Sequence, residues 1–414
     1  MTPDGAFRSE IDPNDPWLGL DFLDPASRER IRRDPHPIFE NLRSVDPVHR
    51  TPIGIWQIAR YADVLHVLRD APVGVRTAAG GLPGLAPSLP DWGPGQFMLS
   101  QDPPNHTRLR KLVSKAFTPR AVERLRPRAR ALAEASVEAA LERGRMEVIE
   151  ELALRIPATL ICELMGVPSA DQARFTEWTA RATHLLTATL GNPNLADARE
   201  AGAALAEYFR ALHAERRARS SDDLMGQLVR AEEEGDRLSE TELLSQSIGL
   251  LIAGFETTIG LIGNGVLALL RHPAQLARLR AEPALVASAV EECLRHDGPI
   301  LLTVRVAHTD FELGGKSIPK DAIVMALLAS ANRDPAQFHA PERFDVARDP
   351  NPHLAFGGGA HFCLGAHLAR MEAQEAIRAL VQRSGSLELA VREDELAYGA
   401  SLFRVLAALP VALA

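Results

Sequence analysis

Alanine and leucine interleaved with arginine and glutamate make up long stretches of this chain. Their helix-forming composition predicts helices over residues 105–145, 150–165, 170–190, 197–218, 240–271 and 283–297. Strand-like runs are fewer and shorter, at Ile53–Ala59, Thr303–Ala307, Phe311–Leu313 and Ile323–Leu328. The pattern is mainly α with a small β part. Near the C-terminus Leu368, Met371, Ala376 and Leu380 fall on roughly one stripe with charges between them, which predicts a helix from Leu364 onward.

The most apolar of these stretches lies between Leu243 and Leu270, where Glu256 is the only charged residue. Ser239 followed by Glu242 reads as a capping box at its start, and Arg271-His272-Pro273 as its stop. The run reaches the roughly 20 apolar residues that span a bilayer. It also contains Gln246, Glu256, Thr257, Thr258 and Asn264, and a lone acid in mid-bilayer is costly. A helix buried through the middle of a large domain fits this pattern better.

Charge narrows the functional classes. The 414 residues carry 46 basic and 54 acidic side chains, a net charge of −8, which argues against a broadly nucleic-acid-binding chain. Three cysteines in this length imply no disulfide framework and suit a reducing cytoplasm. Asp4, Arg8, Glu10, Asp12 and Asp15, interspersed with prolines, leave no visible signal peptide or membrane anchor, so a soluble protein is expected. No linker, repeat or low-complexity tract divides the chain. A single domain over 1–414 is expected, with 1–33 as a loosely ordered extension.

Candidate chemistry concentrates in Phe356-Gly357-Gly358-Gly359-Ala360-His361-Phe362-Cys363-Leu364-Gly365, which sets one cysteine behind a glycine-rich turn at the mouth of a predicted helix. Cysteine binds metal or attacks electrophiles as the thiolate, and a helix N-terminus lowers its pKa. A buried free cysteine acting as a small hydrophobe is the common competing reading. Zinc is disfavoured, because Cys162, Cys293 and Cys363 are far apart and none belongs to a closely spaced ligand pair. A dinucleotide loop is disfavoured too, since the third glycine is missing at the required offset and no β-α-β context is evident.

The same ten residues resemble the haem-binding signature of the cytochrome P450 family, with every fixed position present, and the resemblance runs from about Asp34 to Val411. It implies the family's fold, with a long central helix over the haem. It further implies that Cys363 is the axial thiolate ligand of haem b, pushing electron density toward the iron and favouring O–O cleavage. Phe356 would shield the sulfur, Gly357, Gly365 and Ala253 would line the cofactor, and His106, Arg110, Arg305 and His361 would meet the propionates. Ala253-Gly254-Phe255-Glu256-Thr257-Thr258 resembles the family's oxygen-activation motif. There the small residues and hydroxyls would open the helix locally, Thr257 would hydrogen-bond the dioxygen under activation, and Glu256 would help relay protons. Glu292, Arg295 and Arg343 resemble the family's buried structural triad.

By the same resemblance, residues 75–99 and 175–200 with Leu250, Ala253, Leu301, Leu302, Val304, Ser401 and Leu402 would wall a pocket for a lipophilic small molecule such as a fatty acid, terpenoid, steroid or polyketide. The implied reaction is hydroxylation or epoxidation by one atom of dioxygen, in a cytoplasmic monomer. No flavin or nicotinamide fingerprint and no ferredoxin-type cysteine run is present, so electrons would come from a separate ferredoxin or flavodoxin with its NAD(P)H-dependent reductase. Such donors are generally acidic, and a basic patch including Lys111, Lys115 and Arg370 is expected to receive them. A peroxide-driven haem-thiolate peroxygenase and a non-catalytic haem sensor are the rival readings. Glu256 and Thr257 weigh against both, because neither rival needs a pair that serves dioxygen protonation.

Overall fold

The computed structural model describes residues 15, 18–21, 24–77, 80, 81, 93, 96–115, 117–185, 195–233, 236–399 and 403–414. Ser401, Leu402 and the stretches 82–92 and 186–194 of the expected pocket wall lie outside the described residues.

The apolar run forms one helix, Glu240–Arg271, that passes through the interior. Its start is the expected capping box: Ser239 N–H donates to Glu242 Oε2 at 2.9 Å, and Glu242 N–H donates to Ser239 Oγ at 3.2 Å. Pro273 opens the next helix, Pro273–Ala281, and ends this one. The most apolar window of the central helix is long enough to cross a membrane, yet 78% of it is buried against the rest of the protein. Two apolar clusters divide along this helix. Leu243, Ile248, Leu250 and Leu251 pack with Phe97, Leu109, Phe175 and Phe209, while Phe255, Ile259, Ile262 and Val266 pack with Leu294, Phe344, Met371 and Ile377.

The predicted helix over 105–145 is three helices, Asn105–Ser114, Pro119–Glu123 and Arg126–Arg143. Pro119 and Pro127 sit in first turns, where a missing N–H costs nothing, so each proline marks a restart. The C-terminal helix runs Ala366–Arg383, two residues later than predicted, with Gly365 at its N-cap. Part of the expected loose extension is ordered: Pro25–Arg33 is helical, Asp24 caps it by accepting from Ser27 N–H at 2.6 Å, and the Arg33 carbonyl accepts from Arg404 Nη2 at 2.9 Å.

The β part is peripheral. A five-stranded sheet has the order Val48–Arg50, Trp56–Ile58, Ile323–Ala326, Thr303–Ala307, Val73–Gly74. Its one parallel pairing puts Val324 opposite Trp56 and Ala326 opposite Ile58. Thr303–Ala307 runs antiparallel to its neighbour with Arg305 opposite Val324, which fixes the face from which Arg305 projects. A second sheet joins Leu387–Leu389, Pro410–Leu413 and Arg145–Glu147.

The expected triad needs one correction. Glu292 and Arg295, on the helix Val286–Asp297, form a fully buried bidentate pair with both N···O distances 2.7 Å. The second guanidinium belongs to Arg348, whose Nε lies 3.1 Å from both Glu292 oxygens. Arg343 supplies only its carbonyl, which accepts from Arg295 Nη2 at 3.0 Å, and its side chain turns outward to Asp345 at 3.4 Å. The loop runs on past Arg343 and returns Arg348 to the carboxylate, whose Oε1 also accepts Asp345 N–H at 2.9 Å. Arg348→Met should therefore destabilise the protein by about 3 kcal/mol, by leaving part of a buried charge uncompensated. Arg343→Met should stay within about 0.5 kcal/mol. Denaturant unfolding of the two variants distinguishes the assignments.

Candidate active site

Cys363 lies at the end of a loop built by glycine geometry. Gly357 and Gly359 have φ of +70° and +64°, and a side chain at Gly359 would collide with the Leu68 carbonyl. The loop closes when Cys363 N–H donates to the Phe356 carbonyl at 3.0 Å. The sulfur thus sits just before the C-terminal helix, within reach of the Gly365 N–H. The expected drop in thiol pKa is overturned. Burial pushes the Cys363 thiol up, and the opposing Gly365 N–H, Arg110 and Arg370 do not cancel it. Such a thiol keeps its proton until a cation replaces it.

The four expected anion ligands converge on one region. His106 and His361 have ring centroids 4.2 Å apart, although 255 positions separate them in sequence (361 − 106). Arg110 and Arg305 both act electrostatically on each of these rings. Burial lowers the His106 pKa and, with Arg305 beside it, holds His361 at about 3, so both imidazoles are neutral donors at physiological pH. Burial also brings the Arg305 guanidinium down to about 10, with Asp102 opposing, so it stays charged. Arg305 folds back along its strand, its Nη1 donating to Thr303 Oγ1 at 2.9 Å and to the Val304 carbonyl at 2.8 Å. Neither ring nitrogen of buried His106 has a hydrogen-bond partner among the described residues. Buried polar atoms without partners are uncommon, and the charges that act on this ring are those of Arg110, Arg305 and Asp102.

Glu256, Thr257 and Thr258 lie on the central helix. The expected opening of that helix is absent: it runs unbroken, and Thr257 Oγ1 donates to the Ala253 carbonyl at 2.9 Å while Thr258 Oγ1 donates to the Gly254 carbonyl at 3.2 Å. These back-bonds supplement the helix ladder and leave it closed. Ala253 and Leu250 share an apolar cluster with Leu364, the residue after Cys363. Leu301, Leu302 and Val304 pack in a separate cluster with Met325 and Leu327, on the sheet face opposite to that of Arg305, whose register partner Val324 belongs to another cluster.

One acid escaped notice in the sequence. Glu372 is buried on the C-terminal helix beside Thr258, and burial pushes its carboxyl up to about 8, with the Thr258 hydroxyl opposing. It is thus a protonated carboxyl at neutral pH, and its partner Thr258 is the next residue after Thr257 on the central helix. Its position inside the stripe of Leu368, Met371 and Ala376 was the available signal. The expected basic patch also changes: Lys111 and Lys115 are exposed, but Arg370 makes a bidentate pair with Glu291 at 2.7 and 2.8 Å.

The sequence profile described as cytochrome P450 matches residues 84–384. The chain belongs to the cytochrome P450 family. It is 42% identical to the cytochrome P450 monooxygenase PikC of Streptomyces venezuelae, over 95% of this chain and 92% of that protein. Among solved structures it resembles the bacillaene polyketide synthase P450 PksS of Bacillus subtilis, with TM-score 0.86, 36% identity, and 93% and 98% of the two chains covered. It resembles P450BioI, solved with acyl carrier protein bearing hexadec-9-enoic acid, equally well: TM-score 0.86, 36% identity, 93% and 99% covered. The P450 enzymes are monooxygenases that use haem b and dioxygen.

The residues present fit a haem. One thiol with two arginines and two neutral imidazoles, among which Asp102 is the one carboxylate acting on His106 and Arg305, leaves a net positive donor set that matches a group with an iron and two propionates. Added side-chain atoms at Gly357 and Gly365 would meet nothing within 4 Å among the described residues, which leaves space beside the cysteine loop.

Glu372 makes the stability of the protein depend on pH. Its folded pKa is raised from 4.5, so the folded state holds the extra proton between roughly pH 4.5 and about 8 and its stabilisation is lost as pH rises through that window. Glu372→Gln should remove this term. The melting temperature of the wild type relative to the variant should fall steadily from pH 5 to pH 8.5, and a constant difference would contradict a buried protonated acid.

Proposed function

We propose that this protein is a haem-thiolate monooxygenase that hydroxylates a lipophilic polyketide or fatty-acyl substrate. The convergence of His106, His361, Arg110 and Arg305 beside the Cys363 loop carries the reading, with the central-helix hydroxyls on the other side. Haem held by these residues would supply the redox chemistry by which one atom of dioxygen enters a carbon–hydrogen bond and the other leaves as water, with two electrons from a separate donor.

Cys363 would hold the haem iron through its sulfur, which must give up its proton to do so. His106, His361, Arg110 and Arg305 hold the propionates, which gives the unpartnered ring of His106 its acceptor. Phe356 shields the sulfur, with Gly357 and Gly365 providing clearance. Thr257 hydrogen-bonds the reacting dioxygen after releasing the Ala253 carbonyl, at a net cost of about 1 kcal/mol for the bond surrendered. Glu256 carries protons in from solvent. Leu250, Ala253, Leu301 and Val304 present the apolar surface that favours a lipophilic substrate.

The substrate class is supported by two likenesses. PksS is described as a polyketide synthase P450, and P450BioI was solved with a fatty-acyl carrier. Electrons come from a separate ferredoxin or flavodoxin that docks on the exposed basic side chains Lys111 and Lys115. Free cysteines and the burial of the central helix within the protein support a soluble cytoplasmic enzyme.

The reduced protein with carbon monoxide should show the red-shifted Soret band of a thiolate-ligated haem, and Cys363→His should abolish it. An ordinary histidine-type band in folded wild-type protein would refute the ligand assignment. Thr257→Ala should retain haem and substrate binding while the yield of product per electron drops by about an order of magnitude, as for loss of a proton-delivery group. Hydrogen peroxide should account for the missing electrons, and undiminished coupling would remove Thr257 from its role.

A further inference from the structure

Arg370 was expected on a docking surface, but its contacts point inward. It stands in the second turn of the C-terminal helix, with Nε 2.7 Å from Glu291 Oε1 and Nη2 2.8 Å from Glu291 Oε2. Two parallel bonds of this kind fix the plane of a guanidinium as well as its position. The same carboxylate meets His353 Nε2 at 3.1 Å, while His353 Nδ1 accepts the Ala355 N–H at 3.2 Å. The second contact assigns the His353 proton to Nε2 and makes it a donor to Glu291. Burial pushes the Glu291 carboxyl up, but the bonds from His353 and Arg370 outweigh it and hold it near 2, so the site is ionised at neutral pH.

The guanidinium so fixed lies 4.5 Å from the centroid of the Phe356 ring. His353 and Phe362 approach the same ring, with centroid separations of 6.0 and 6.3 Å. Phe356 is thereby held on several sides, and its carbonyl is the acceptor of the Cys363 N–H. Arg370 also acts electrostatically on the Cys363 sulfur, in the direction that favours the thiolate. The helix bearing Glu291, the loop bearing His353 and Phe356, and the helix bearing Arg370 therefore meet at one aromatic ring beside the sulfur.

We infer that Arg370 is a positioning residue for the haem thiolate: clamped by Glu291 and His353, it fixes the Phe356 ring beside Cys363 and so sets how strongly the sulfur donates to iron. The inference rests on Cys363 being the axial ligand. Donation by the ligand is one of the means by which a protein sets the potential of haem iron. An ion pair that served only to join two helices would affect folding and leave that potential alone.

The test uses haem-loaded wild type, Arg370→Gln, Arg370→Lys, Glu291→Gln and the double variant Arg370→Gln/Glu291→Gln. Spectroelectrochemical titration gives the one-electron midpoint potential of each, and the reduced carbon monoxide complex is followed as its red-shifted band converts to the ordinary one. Breaking the clamp from either end frees the same ring. Both Arg370→Gln and Glu291→Gln should therefore displace the reduction equilibrium in the same sense by about tenfold, equivalent to ~59 mV for one electron, and both should speed the band conversion. The double variant should add little to either single change. Arg370→Lys keeps the charge without the planar fork and should not restore the wild-type potential.

Shifts of opposite sign in Arg370→Gln and Glu291→Gln would show that charge alone acts, and would overturn the inference. So would a lowered melting temperature with potentials unchanged in every variant. If Arg370→Gln fails to fold with haem, Arg370→Lys and Glu291→Gln carry the same comparison. A wild-type protein without the red-shifted band would instead refute the ligand assignment, so the two failures are distinguishable.

Discussion

Everything on the sulfur side of the molecule hangs on one carboxylate with no exposed surface, Glu292. Burying an isolated charge is prohibitive, and burying a paired one is tolerable only when its remaining lone pairs are also occupied. Glu292 meets that condition: Arg295 and Arg348 approach from two sides, the Asp345 N–H and Asn351 Nδ2 complete the set, and Arg295 spends its other hydrogens on the carbonyls of Asn332, Pro341 and Arg343. The pair thereby dictates the path of the chain from Asn332 to Asn351, immediately before the cysteine loop. That loop inherits its starting point from an interaction that touches no substrate.

The legibility of the sequence divides along a physical line. Features set by neighbouring residues were readable: the capping box at Ser239 and Glu242, the end of the central helix at Pro273, and the glycine-rich turn before Cys363. Local rules of hydrogen bonding and steric freedom determine each of them. Partners that depend on how a long loop returns were not readable. Arg343 and Arg348 are both basic and both near the motif, and only the three-dimensional path of the intervening turn decides which side chain faces Glu292. Arg370 failed for a related reason, because charge counted along a sequence does not reveal that Glu291 has already neutralised it.

Electrostatics at the thiol shows the same limit from another direction. The position of Cys363 before a helix correctly announces N–H groups aimed at the sulfur, but their effect competes with burial, and burial wins. The helix sequence contains the first term and not the second. His106 and His361 were likewise identifiable as basic residues at motif positions, while their contact and their neutral state arise from packing that brings two distant segments together. Glu372 is the converse case, an acid overlooked within an apolar stripe because its neighbours there suggested a surface charge between core residues.

The central helix finally sets where the interior has latitude for change. At Gly249 a methyl group would strike the Phe97 ring, at Gly260 it would press on Pro299 and Val405, at Gly263 on Ile149, and at Gly265 on Cys293. At Gly254 it would meet, among the described residues, only Ile161, at 4.0 Å. Among the described residues, volume can therefore be added at that one glycine of the helix without displacing a neighbour, next to Ala253 and within the segment that resembles the oxygen-activation motif. Sequence divergence has a route there that leaves the packing of the fold intact, and the other four positions close it off.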